Sequence, residues 1–446
     1  MYTYVKQIPV LPEADVVVVG GGSAGAVAAI TAARLARRAN PSARVVLLER
    51  WGFLGGTSTA VLDTFYGFYT PGAHAKKVVS GVPDEVVAGL RALDTVIERP
   101  NTFGAGTGVT YNPEILKVVW DRLVLDAGVE PLLYAFVTDG VMDGDRVTGV
   151  VIDGKQGLAV LPAKRVVDAS GDADVAALAG VPFERAGDDG PAQTLSTTFK
   201  LANVDGGRAR AVPRAEFVER MKAAAESGRY DLPRREGSIH VTPIAGVMAT
   251  IMTRVAVPDP TRPGDLTAAE IEGRRQALEY ERFLREQVPG YEASRIVTFS
   301  SQIGVRETRR IHGEYRLTRE DVLSARRFDD VVGLCGAPIE DHSPGATTKW
   351  QYLPEGETVD IPYRTLVPQQ ADALLVAGRC FSASHDAHAS VRSMAQTMAM
   401  GQAAGAAAAL SLARGEQPRE LDVRALQDAL RATGATLETP AALAAA

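Results

Sequence analysis

Two histidines stand three residues apart in the segment GRCFSASHDAHASVRSM, residues 378–394, with Arg379 before them and Arg392 after. An imidazole is the one side chain whose unperturbed pKa lies near neutrality, so His385 and His388 are candidates for moving a proton. A zinc reading of HDAH fails for want of two further ligands at useful spacing. His342, in EDHSPGATTKWQY, is a third candidate, because a loop interrupted by Gly and Pro can carry it to the same place. Trp350 and Tyr352, just beyond it, suit a pocket wall.

Seven more arginines lie in QIGVRETRRIHGEYRLTREDVLSARRFDD. Arg306 and Arg309 are the candidates there for binding an anionic or hydroxylated substrate, or for polarising its carbonyl. Glu307, Glu314, Glu320 and Asp321 can pair with most of the others on a solvated face. Cys380 has no partner cysteine and reads as a packed thiol.

Something must position these groups. The run from Ala395 to Ala413 is an Ala, Gly, Met and Gln helix. With Gln396, Gln402, Gly401 and Gly405 inside it, burial and close packing suit it better than a membrane span. At the other end of the chain, ADVVVVGGGSAGAVAAITAARLARRANPSARVVLLER reads as strand, turn, helix, strand. Gly20, Gly22 and Gly25 satisfy GxGxxG where the strand feeds the helix: a tight turn, room for a pyrophosphate, and close helix–strand contact. The helix N-terminus offers the phosphates free N–H groups and a positive dipole end. Glu49 ends the second strand 24 residues after Gly25, near the ~20-residue spacing of a ribose-binding carboxylate. A dinucleotide binds at this turn.

The glycine motif alone does not separate FAD from NAD. After Glu49, the Gly55-Gly56 pair allows close backbone approach, and Thr57, Ser58 and Thr59 add hydroxyls. Farther on, a strand, a three-stranded meander turning at Asp143-Gly144 and Asp153-Gly154, and a strand from Arg165 to Ala169 lead into ASGD, 169–172. A strand from Leu374 to Ala377 ends in Gly378-Arg379. Such widely separated nucleotide-side elements suit a long, extended ligand.

The chain resembles the FAD-dependent oxidoreductases of the glutathione-reductase-like flavoprotein fold. The resemblance rests on GGGSAG (20–25), ER…GGTST (49–59), ASGD, QIGVRETRRIHGEYRLTRED (302–321) and LLVAGRCFSAS…GQAAGAAAAL (374–410). It implies an α/β fold: a Rossmann-like FAD-binding domain, parallel sheet plus β-meander, with an inserted α+β substrate domain. It implies FAD held at Gly20, Gly22, Ser23, Ala24 and Gly25, then at Glu49, Arg50, Gly55, Gly56, Thr57 and Ser58. Val137 in the meander, Ala169, Ser170 and Gly171, then Gly378, Arg379 and Ala395 complete the expected set. More distant flavoproteins carry Gly-Asp where this chain has Gly378-Arg379; Asp172 is the nearest substitute for that carboxylate. In the resembling fold the helix from Ala395 points its positive end at the flavin's pyrimidine edge, its small side chains packing under the ring. His385, His388 and His342 would then stand near the reactive face as bases during hydride transfer, with Arg306 beside the substrate.

A chain of 446 residues exceeds one compact core. The expected partition is an FAD-binding domain at 1–181 (first βαβ 14–50, meander about 130–170), a substrate domain at 182–372, and a return at 373–446 to the FAD domain and a C-terminal helix. Within the middle part, Thr267 and Glu270 read as a capping box opening a helix with Ile271, Leu278 and Val288 on its apolar side. A short amphipathic helix is expected around Asp422 to Leu430, followed by a frayed alanine-rich tail after Thr439. A net charge of −6 gives no case for nucleic acid or an anionic membrane. Two cysteines in no CxxC pair exclude a disulfide scaffold and fit a reducing cytoplasm, and the N-terminus lacks a signal-peptide pattern.

The reading is a cytoplasmic FAD enzyme passing a hydride between flavin N5 and a small organic substrate, C–OH or C–N oxidation first, its electron acceptor open and a homo-oligomer allowed. One alternative is a flavin monooxygenase or halogenase using NAD(P)H or an external reductase, although no second GxGxxG appears. Others are reduction of an unsaturated acid and a flavin-binding protein without redox turnover.

Overall fold

Val16 to Val19 are β-branched and apolar throughout, which suits a strand covered on both faces. The computed structural model describes residue 3 and residues 5–100, 102, 107–188 and 190–440. In it these valines belong to β1 (Ala14–Val19), followed by α1 (Ser23–Ala39) and β2 (Val45–Glu49). A four-residue helix, α2 (Thr57–Ala60), follows the glycine pair. Then come β3 (Glu130–Leu133), β4 (Phe136–Asp143), β5 (Arg146–Gly154) and β6 (Gly157–Asp168).

Where the sequence reads a meander strand and then a separate one, the structure makes a single strand of 12 residues, β6. Nothing between Leu161 and Arg165 supplies an Asn-Gly or Asp-Gly turn, so the chain runs straight on. The first half of β6 pairs antiparallel with β5, and the second half pairs parallel with β1, Val19 opposite Asp168. The sheet order is β3-β2-β1-β6-β5-β4.

A second, antiparallel sheet comes from the middle of the chain. Its strands are β7 (Phe199–Ala202), β8 (Ser238–Val241) and β9 (Met248–Ile251), with β10 (Arg295–Phe299) beyond the helix α3 (Pro263–Gln287). Their order is β8-β9-β7-β10. α3 lays Ala277, Tyr280, Phe283 and Leu284 against Phe199 and Leu201 in a core of its own. The expected capping box is not formed. The helix opens one turn earlier at Pro263, where proline's fixed φ and missing N–H suit the first position. Thr267 therefore sits inside the helix, and Glu270 accepts from the Ile303 amide instead. Ile271 and Leu278 face solvent, because the buried stripe is Ala269, Gly273, Gln276, Ala277 and Tyr280.

The last part returns to the first sheet. β11 (Leu374–Val376) pairs parallel with the end of β6, Leu374 opposite Val166. α4 (His385–Val391), α5 (Met394–Arg414) and α6 (Val423–Ala432) follow. α5 lies directly on α1: a Cβ on Gly401 would collide with the carbonyl of Ala24, and one on Gly405 with that of Ala28. Small side chains thus serve helix–helix approach. Leu317, Leu334, Ile361 and Val367, which precede residue 372, share one apolar cluster with α1 and α5. The alanine tail at 441–446 lies outside the described residues. Among the described residues no helix is long and apolar enough to cross a membrane, and no group of three His, Cys, Asp or Glu side chains could hold a metal ion.

Candidate active site

The carboxyl ends of β1, β2, β6 and β11 open on one cleft of about 540 Å³, the place where open α/β sheets bind ligands. At its first end the wall is mostly backbone. Gly20 has φ +94°, and a Cβ there would stand 2.5 Å from the Ala169 carbonyl oxygen. Gly22 caps α1 with no side chain, leaving the first-turn N–H groups free, and the buried hydroxyl of Ser23 has no partner. Gly56, at φ +53°, passes so near Gly22 that a Cβ would meet its Cα at 2.9 Å. Glu49 accepts from the amides of Gly21 (2.8 Å) and Trp51 (2.9 Å). Burial pushes its carboxyl above the usual range, and each oxygen keeps a lone pair for a ligand hydroxyl.

Midway, the start of α5 comes to the wall through Ser393, Met394 and Thr397. Its N-cap, Ser393, makes no side-chain cap bond, so this helix too presents free N–H groups and a positive dipole end.

The far end is polar and built of side chains. Arg306 donates to the Thr194 carbonyl and to Ser196 Oγ (3.0 Å). His342 Nε2 lies 2.9 Å from Glu340, and its Nδ1 3.3 Å from Thr348 Oγ1. Burial, then the Arg306 charge, lowers His342 to about 3. Burial opposes ionisation of Glu340, but His342, Arg392 and Arg306 prevail and hold it at about 2. A neutral His342 therefore donates its Nε2 proton to an ionised Glu340. Across the cleft, His240 Nε2 is 2.7 Å from Asp63 Oδ1. Asp63 is itself buried; burial pushes its pKa up, and His240 and Lys200 pull it below the ordinary value.

No curated protein matches the chain. Among solved structures it is similar to a geranylgeranyl bacteriochlorophyll reductase-like protein from Thermoplasma acidophilum, at 14% identity, over 94% of this chain and 83% of that one, with a TM-score of 0.45. BexE, from BE-7585A biosynthesis, is 17% identical over 95% of this chain and 69% of that one, TM-score 0.48. The flavin-dependent brominase Bmp2 is 14% identical over 94% and 83%, TM-score 0.45. Likeness at this level transfers no reaction or substrate. The family described as FAD dependent oxidoreductase matches residues 15–430. The chain belongs to that family.

The first end of the cleft fits the oxidoreductase's FAD: an uncapped helix N-terminus with an unpartnered serine for phosphate, glycines without a Cβ in the way, and a fixed carboxylate for ribose hydroxyls. Of the residues expected to hold it, Gly20, Gly22, Ser23, Ala24, Glu49 and Arg50 line the cleft. So do Gly56 and Thr57, Val137, Ala169, Ser170 and Gly171, and Gly378 and Arg379. Four do not. Gly25 supports the turn from behind, where a Cβ would collide with the Gly20 carbonyl. Gly55 is backed by Thr59, while Ser58 Oγ donates to the Gly55 carbonyl at 2.8 Å. Ala395 is fully buried behind Met394. Asp172 does not replace the missing Gly-Asp carboxylate, because it is tied to Arg379 (2.6 Å) and Thr308 (2.8 Å).

The expected proton carriers fare unevenly. His342 and Arg306 line the cleft. His385 does not: its ring is held between Glu307 (3.0 Å) and Asp341 (3.6 Å). Burial works against its charge, yet the two carboxylates raise it to about 9, the reverse of what a base at neutral pH needs. His388 is fully buried beside Phe381, its Nε2 2.8 Å from the Arg379 carbonyl oxygen, and burial pushes it well below 6.5. Arg309 does not line the cleft; it is tied at 3.0 Å to Asp174, which does. Trp350 lines the wall, and Tyr352 stacks on it at 6.4 Å. Sequence reasoning missed the His240–Asp63 pair, Glu340 and Arg234. No spacing signal joins Asp63 to His240, 177 residues away; only the fold of β8 over the chain after α2 does.

Proposed function

We propose that this enzyme oxidises a C–OH or C–N centre of a small substrate held at the polar end of the cleft. Bound FAD supplies the two-electron chemistry by accepting a hydride. The protein's part is to take the proton. In its neutral form His240 faces Asp63 with Nε2–H, leaving the Nδ1 lone pair for the substrate's hydroxyl or amine proton, and Asp63 fixes the ring and stabilises the charge it gains. Arg306 and the His342–Glu340 pair orient the substrate. The start of α5 stabilises negative charge that reduction places beside it. The observation that carries the reading is a cleft continuous from the glycine turn to a buried imidazole–carboxylate dyad.

The finer assignment, a glutathione-reductase-like flavoprotein, is supported by parallel strands joined through an antiparallel meander. With it go FAD-binding parts at 1–181 and 373–446 and a substrate part at 182–372, the last sharing its end with the flavin part's core. Two buried, unpaired cysteines accord with a reducing cytoplasm.

The test is anaerobic absorbance of the FAD-loaded protein mixed in turn with alcohols, amines, hydroxy acids and NAD(P)H. Bleaching of the flavin band by one organic class is the expected result. Bleaching by NAD(P)H alone would transfer the enzyme to the monooxygenase or halogenase class, and no bleaching by any of them would leave a flavin-binding protein without turnover.

A further inference from the structure

We infer that the polar end of the cleft is an anion site, taking a small organic acid with two negative groups, carboxylate or phosphate. The inference rests on the reading of this end as the substrate's. Five guanidinium groups reach it, those of Arg99, Arg214, Arg234, Arg306 and Arg392, against the carboxylates of Glu236 and Glu340 and, behind His240, of Asp63. None of the five forms an ion pair among the described residues, and each of their hydrogen bonds there ends on a neutral oxygen. Arg306 donates to Thr194 and Ser196, Arg392 to Gln193 and the Glu340 carbonyl, and Arg234 to the Ile251 carbonyl at 3.0 Å. Arg214 donates to the carbonyls of Gly237 and Glu236, and Arg99 to Thr64. Elsewhere the pattern is the opposite: Arg379, also in the cleft wall, has Asp172, while behind the wall Arg309 has Asp174 and Arg310 has Glu184 and Glu307.

Three donors have no partner among the described residues. Arg234 is only 6% exposed, and its buried Nε is unbonded, as are those of Arg99 and Arg392. A buried guanidinium left in that state is costly unless a ligand completes it. The field says the same. Burial, and then the charges of Arg392 and Arg234, push Arg306 well below its ordinary range; burial and Arg234 also lower Arg214. Arginine does not lose its proton in a protein, so the mutual repulsion persists until an anion arrives.

FAD does not account for that excess. Its phosphates belong to the glycine turn at the opposite end, where α1 presents its N–H groups. A reduced flavin would carry one negative charge, and Arg392, adjoining the start of α5, stands nearest to it in the chain. That leaves Arg234 and Arg306, with Arg99 and Arg214, facing the substrate. Their planar forks suit carboxylate or phosphate oxygens bidentately.

The experiment titrates the oxidised, FAD-loaded protein with malonate, succinate, glutarate and phosphoglycolate, following the shift of the flavin band, with dimethyl succinate as the neutral control. At least one dianion is expected to bind ~10–100-fold more tightly than the neutral ester, and less tightly as salt rises. Carboxylate and phosphate arms separate the two headgroup chemistries. Arg234→Met and Arg306→Met, each checked for unchanged FAD content, should weaken dianion binding at least ~10-fold. Arg234→Lys should recover only part of it, since an ammonium lacks the fork. Equal affinity for the ester, or dianion affinity unmoved in both Met variants, overturns the anion site. Because no turnover is involved, dianion binding without any flavin reduction would sink the proposed oxidation and leave the anion site standing. Reduction by neutral alcohols or amines with no dianion binding would do the reverse.

Discussion

At the nucleotide end of the cleft the binding surface is backbone: Gly20 and Gly56 stand where a Cβ would intrude, Gly22 leaves the head of α1 uncapped, and the amides of Gly21 and Trp51 orient Glu49. At the polar end it is side chains, drawn from Asp63, Arg234, His240, Arg306, Glu340 and Arg392. The first end is held by residues that neighbour one another in sequence, whereas the second exists only after distant segments meet. Backbone sites leave little room for an added atom and depend little on side-chain charge. Side-chain sites tolerate change in shape and depend instead on charge and proton balance. Substitutions at the two ends should therefore fail in different ways.

The largest expected effect is at the backbone end. Gly25→Val puts a branched side chain against the Gly20 carbonyl, well beyond the ~1–3 kcal/mol of ordinary overpacking. The variant is expected to emerge from gel filtration without FAD; a fully loaded yellow protein would show that the turn has slack the contacts deny.

Next is the dyad. His240→Gln should keep its FAD and lower kcat by ~10²–10⁴, the usual contribution of a positioned base. Steady-state rates with the substrate class found by flavin bleaching decide this, and a loss under about tenfold would move the proton to another group.

The smallest effect concerns His385, just outside the cleft. Its pKa is about 9 in the folded protein against 6.5 ordinarily. The folded state thus binds the proton more tightly, so the stabilisation is complete below pH 6.5 and fades as pH rises through 9. Denaturant melts of the native protein should lose up to ~3 kcal/mol across that window, and His385→Gln should remove that part of the slope. An unchanged slope would mean that Glu307 and Asp341 do not hold an imidazolium.

The same contrast explains what could be read from the chain. GGGSAG, Glu49 and Gly55-Gly56 were legible because a βαβ turn converts sequence spacing directly into geometry. Ser58 and Gly55 were not separable from Thr57 and Gly56, since which hydroxyl points outward depends on how α2 is turned. His385 and His388 drew notice by type and spacing, yet one is clamped by Glu307 and Asp341 and the other sealed behind Arg379. An imidazole's chemistry is set by its neighbours, and those neighbours come from other segments. Asp63 and His240 gave no sign, having nothing in common until β8 forms.

Gly401 and Gly405 lie against Ala24 and Ala28, which joins helices whose contacting residues stand 377 positions apart. While the ribosome is still at work, α1 has formed residues but no cover for its apolar face. Closing a loop of 377 residues is slow and entropically unfavourable. The head of α1, and with it the glycine turn, is therefore completed late in folding, when α5 arrives.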